Sequence, residues 1–134
     1  MGFMHRRLHA YDRAIELVVK VYAATERLTF RWRSIVDQVR RSAVSIPLNI
    51  AEGVSETSAR DQSRFLRIAR RSAAECDAAF HILHATGAIT DDVARDAEGR
   101  LNQIGAMLTG LIKRSDARIK APEPRSSGAT ELRS

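Results

Sequence analysis

Four arginines on one stretch of this chain share a spacing with chemical meaning. Arg60, Arg64, Arg67 and Arg71 recur at intervals of four, three and four residues. On a helix, at ~100° per residue, they fall within about 60° of arc. A guanidinium group is permanently charged and presents a planar fork of donors that fits phosphate oxygens. Like charges at these spacings repel by about 0.2–0.5 kcal/mol per pair. The stripe therefore calls for acids from another helix or subunit, or for an anionic ligand. No aromatic residue interleaves it and no base-reading motif accompanies it, so a nucleic acid held here would be bound without sequence readout.

A second arginine pair, Arg40 and Arg41, lies in QVRRSAVSIPLNIAEG, residues 38–53. Arg41 is expected on a polar arc with Asn49 and Glu52. Its two readings are an ion pair that fixes register and a contact to RNA. Other reactive residue types do not combine. His81 and His84 stand three apart, and His5 and His9 four apart, but neither pair has the Glu-x-x-His companion or His-Glu-x-x-His pattern of a metal site. No glycine-rich phosphate loop and no nucleophile with a base is visible. No metal, no cofactor and no catalysis are expected. The single cysteine, Cys76, excludes an internal disulfide and falls on the apolar face of a helix, as a small core residue does.

Composition bounds the rest. At 134 residues the chain is one domain with room for one core, and 44% apolar content is ordinary. Aromatic content is only 5%, so the core must come from Leu, Ile, Val and Ala. Seven glycines and three prolines favour a few long helices over many strands. The net charge is +6, and 19 of the 22 basic residues are arginine, which suits a polyanionic partner. That charge is uneven. Residues 31–71 hold nine Arg against four acids, whereas residues 90–118 hold five bases and five acids. No apolar run approaches the ~18 residues of a membrane span. Neither a signal peptide nor a myristoylation pattern opens the chain, so the cytoplasm is the expected compartment.

The elements that carry these residues are four helices. Residues 1–7 are expected as a flexible arm. Helix one is expected at about 8–28, with Leu8, Tyr11, Ile15, Val18, Tyr22 and Thr25 as its seam. Helix two is expected at 31–55. Val36, Val39, Ala43, Ile46 and Ile50 form its main apolar face, and Val44, Leu48 and Ala51 a second strip. Pro47 lies inside it and should bend it, at a cost of roughly 3 kcal/mol. Helix three is expected at 58–86, capped by Ser58, with Phe65, Ala69, Ser72, Cys76, Phe80 and Leu83 inward and Gly87 as its stop. Helix four is expected from Thr90 to about 117, with Val93, Ala97, Leu101, Ile104, Leu108 and Leu111 as its seam. Residues 119–134 are rich in Pro, Ser and Gly and are expected to be disordered. The sum is an all-α, antiparallel up-down-up-down four-helix bundle over residues 8–118. Beyond Arg71 the outer stripe of helix three turns apolar, at Ala74, Ala78 and Ile82. With Val44, Pro47 and Leu48 these are candidate subunit contacts.

The motif also carries a resemblance. Gln38, Arg40, Arg41, Ser45, Ile46, Pro47, Asn49, Ile50, Ala51, Glu52 and Gly53 follow the signature of the ribosomal-RNA intervening-sequence proteins. Arg64, Phe65, Leu66, Ile68 and Ala69 follow its second segment. Ser42 and Leu48 depart mildly from the pattern. The chain resembles that family over about residues 8–115. The family is in turn similar to the accessory variability determinant of diversity-generating retroelements. The resemblance implies a homopentameric ring. It also implies a non-enzymatic adaptor for RNA or DNA, with a reverse transcriptase as a protein partner. The alternative is a structural or protein-interaction module whose arginines pair at subunit contacts.

Overall fold

A computed structural model describes residues 2–121 of the chain, apart from the side chain of Phe3. Four helices follow one another: α1 (Phe3–Thr25), α2 (Arg33–Ser55), α3 (Ala59–Ala85) and α4 (Asp91–Lys120). A single 3-10 turn, Phe30–Trp32, leads into α2. Each helix packs on the next and α4 closes onto α1. The cross-links run antiparallel: Arg40 to Thr25, Ser45 to Ser72, Ser63 to Asp116 and Arg100 to Glu16. This is the expected four-helix bundle.

Local chemistry explains the boundaries. The Ser58 hydroxyl accepts from the Asp61 N–H at 3.0 Å and opens α3, and Thr90 accepts from Val93 N–H at 3.3 Å and opens α4. Gly87 ends α3 at φ 78°, where the Ala88 N–H turns back to the Leu83 carbonyl. Pro47 does not break α2, which is helical on both sides of it. Proline has no N–H to offer the Ala43 carbonyl. The side chain is buried, and its packing offsets that loss. Gly53 sits where α2 and α3 approach closely, since a Cβ there would stand 3.4 Å from Phe65 Cβ.

The core bears out the α2 seam as read and the α4 seam but for half-buried Val93, and it shifts the other two. Val36, Val39, Ala43, Ile46 and Ile50 of α2 are all buried, as are Ala97, Leu101, Ile104, Leu108 and Leu111 of α4. On α3 the inward face turns one residue further, onto Leu66 and Ala73, and Phe65 is only half-buried. On α1 the expected seam is half right: Thr25 is buried and Tyr11 and Val18 pack against the core's edge, but the centre of the face lies elsewhere. Ala10, Ala14, Leu17 and Val21 are fully buried with Thr25, while Leu8, Ile15 and Tyr22 face outward. Small side chains let α1 lie close to its neighbours, so the alanines go in and the larger residues out.

Both chain ends differ from expectation too. The arm expected at 1–7 is helical from Phe3, and Arg7 is buried. Burial, and then the charge of Arg118, lower the pKa of Arg7. At the other end α4 continues to Lys120, so the tail expected from residue 119 begins as helix. Residues 122–134 of that tail lie outside the described residues.

Candidate nucleic-acid interface

The inward face of α3 is Leu66, Ala69, Ala73, Cys76 and Phe80, and the side opposite it carries the arginine stripe. Arg60, Arg64, Arg67 and Arg71 are all exposed. Their partners divide them. Arg67 pairs with Asp116 of α4, and its Nε donates to the Ser63 hydroxyl at 3.3 Å. That hydroxyl donates to Asp116 at 2.7 Å. The Ser63 hydrogen bond, helped by the Arg67 charge, holds the Asp116 carboxyl below the usual carboxylate range. Arg67 is thus largely neutralised within the bundle. Arg64 lies across the Phe65 ring, 4.4 Å from its centroid, with Asp61 at 3.8 Å. Among the described residues Arg60 and Arg71 make no ion pair. The stripe therefore offers three outward guanidinium groups rather than four.

The motif arginines part in the same way. Arg40 donates from Nε to the Thr25 hydroxyl at 3.0 Å and lies 4.5 Å from the centre of the Tyr22 ring. It clips α2 to the end of α1 and is only half-exposed. Arg41 is exposed and reaches Gln38 Oε1 at 3.5 Å, not Glu52. Glu52 stands eleven residues on, roughly 16 Å along the helix, beyond the reach of the side chain. The polar arc instead stitches α2 to α3. Ser45 and Ser72 share a hydrogen bond of 2.7 Å, and Asn49 donates to the Ser45 hydroxyl and carbonyl. Arg40 and Arg41 line an open groove of about 750 Å³ with Tyr22, Asp37, Val44 and Leu48.

Of the residues expected at subunit contacts, Ala74, Ala78, Ile82 and Leu48 are exposed and Val44 is half-buried. Pro47 is buried inside its own chain and has no surface to give a partner. The larger apolar surface was missed. Met4, Leu8, Ile15, Val19 and Tyr22 form one outward stripe of α1, and Tyr22 borders the groove that holds Leu48. The alanines at 10 and 14 are the signal that could have revealed it. A second omission is the turn Phe30–Arg31–Trp32–Arg33. Phe30 is 80% exposed, Arg33 lies over its ring, and Arg31 lies 4.8 Å from the Trp32 ring centre. Alternation of aromatic and basic residues was legible there, away from the α3 stripe.

The histidines of α3 and the cysteine make local contacts. His84 Nε2 meets Asp91 at 2.6 Å, an exposed contact that lowers the Asp91 pKa. His81 lies 3.9 Å from Asp77. No group of His, Cys, Asp and Glu among the described residues could hold a metal ion. No helix among them is long and apolar enough to cross a membrane. Cys76 is buried, and burial pushes its thiol pKa up to about 12.

A closed antiparallel bundle of four helices places the protein among the all-α folds, a class with many members. Its family is narrower. Residues 6–110 match the 23S rRNA-intervening sequence proteins, and the chain belongs to that family. Among solved structures it is similar to a protein of unknown function from the S23 ribosomal protein family of Bacteroides thetaiotaomicron. The TM-score is 0.75 at 24% identity, covering 81% of this chain and 98% of that one. At that identity the likeness establishes the fold. No curated protein matches the chain.

Proposed function

We propose that this protein is a non-enzymatic, self-associating bundle that holds RNA through the outward arginines of α3 without reading its sequence. The observation that carries this reading is the exposure of Arg60, Arg64 and Arg71 on one face, two of them without an ion pair among the described residues. Such groups fit phosphate oxygens and carry no base information. Arg41 and the basic-aromatic turn at residues 30–33 add to the same chemistry, since exposed rings can stack on unpaired bases. Membership of a family described by a ribosomal-RNA insertion supports RNA as the polyanion. Self-association through the α1 stripe and Leu48 would repeat weak contacts around an oligomer and add them by multivalency. By the retroelement likeness, that oligomer is a homopentamer working beside a reverse transcriptase.

The test is a salt titration with structured RNA. Binding by the wild type should fall steeply as salt rises, because each phosphate contact releases a counterion. Arg60→Ala/Arg64→Ala/Arg71→Ala should bind more weakly and with a shallower salt slope, while Arg67→Ala should change binding less. Equal binding by all three proteins would overturn the reading. A second reading, a protein-interaction module with no nucleic-acid role, is favoured by Arg40 and Arg67, which are engaged inside the bundle. It predicts that the triple variant loses self-association rather than RNA.

A further inference from the structure

The start of α1 and the second half of α4 enclose a groove that the arginine stripe does not touch. Its volume is about 500 Å³, within the range of small-molecule sites. His5, Arg6 and His9 line it from α1 and Arg114 from α4, and among the described residues no acid lines it. Ala106, Met107, Gly110 and Leu111 form its other wall. Every polar side chain that lines this groove, among the described residues, is Arg or His.

Two further observations point the same way. Nη1 of Arg6 is shut off from solvent and has no hydrogen-bond partner among the described residues. A buried donor left without an acceptor is costly, and more so on a charged group. The beginning of α1 is also uncompensated. Gly2 gives no side-chain cap and the first turn holds no acidic residue, so the positive end of the helix dipole adds to His5 and Arg6. The opposite wall suits a flat, apolar body. Gly110 has no atom within 4 Å of where a Cβ would stand, which leaves the helix surface open beside Met107 and Leu111. A thioether packs favourably on aromatic rings.

We propose that this groove binds a small organic phosphate, its anionic head between Arg6 and Arg114 and a planar body against Met107, Gly110 and Leu111. The site is independent of RNA binding by α3.

Calorimetry with AMP, adenosine and inorganic phosphate tests it on the full chain. AMP should bind saturably, one per chain, and at least about tenfold more tightly than either fragment. Arg6→Gln should weaken AMP about tenfold or more, the loss expected for a charge-assisted hydrogen bond. Gly110→Leu fills the groove yet favours helix, so it should abolish AMP binding while raising the melting temperature. That variant separates an occupied site from a damaged fold. If AMP binds no better than phosphate, or if Gly110→Leu binds it as the wild type does, the proposal fails. If Arg6→Gln weakens RNA but AMP never binds, the groove is part of a nucleic-acid surface and the small-ligand site is refuted.

Discussion

α1 and α2 are equally long, but α1 carries more apolar residues and distributes them differently. α2 turns Val36, Val39, Ala43, Ile46 and Ile50 inward and leaves Leu48 as its one large exposed apolar residue. α1 turns Ala10, Ala14, Leu17 and Val21 inward and leaves Met4, Leu8, Ile15, Val19 and Tyr22 outside. α2 is a helix made for one core. α1 packs with its small residues inward and holds larger ones on a surface, the face on which the proposed self-association rests. Hydrophobicity alone thus says that a face is to be covered.

Truncation of inward residues would break this contrast most severely if it failed. Ile46→Ala and Leu17→Ala should each cost about 2–5 kcal/mol, because both side chains are fully buried and the bundle can collapse only partly into the space. Ile15→Ala, by the seam expected from sequence, would cost as much, yet its exposure limits the effect on the single chain to well under about 2 kcal/mol. Chemical denaturation of the three variants ranks them.

A smaller effect should come from the polar seam between α3 and α4. Ser63→Ala removes the hydrogen bond that does most to depress the Asp116 pKa, and should lower the melting temperature by a few degrees at pH 7. The sign follows from the depressed folded-state value. The contact stabilises the protein above the ordinary carboxylate pKa of 3.8, and its contribution is lost as pH falls through the lower folded value. Wild type and variant should therefore converge in melting temperature only as the pH falls through that lower folded value. A gap that persists there would mean the hydroxyl acts by packing.

The smallest change in folding should accompany the largest change in mass. Ile15→Asp/Val19→Asp should leave helix content and stability within about 0.5 kcal/mol of wild type, as exposed substitutions do. Light scattering should nonetheless show the oligomer reduced to single chains. A variant that assembles normally would strip the α1 stripe of its role and return attention to Ala74, Ala78 and Ile82.

The sequence made helix number, caps and two of the four seams legible, because periodic Leu, Ile and Val on α2 and α4 leave one possible inward face. The α1 seam was not legible by the same means. Ala10 and Ala14 contribute little hydrophobicity to any periodic pattern, so the larger residues drew the face toward themselves. The arginine stripe was visible from spacing alone. What divides it was not, since Arg67 and Asp116 are 49 residues apart and meet only when α3 and α4 fold together. Arg40 is similar. Its contacts with Thr25 and Tyr22 cross from one helix to the next.

Cys76 gives the bundle a built-in clock. Its thiol is fully buried, its pKa is raised to about 12, and its chain contains no second cysteine. Only the thiolate reacts with a disulfide reagent, so the folded protein should be almost inert to one. Modification must wait for α3 to leave its neighbours. The rate at which a thiol reagent labels the native protein therefore measures how often the bundle opens. Any ligand that holds it shut should slow that labelling in proportion to its occupancy.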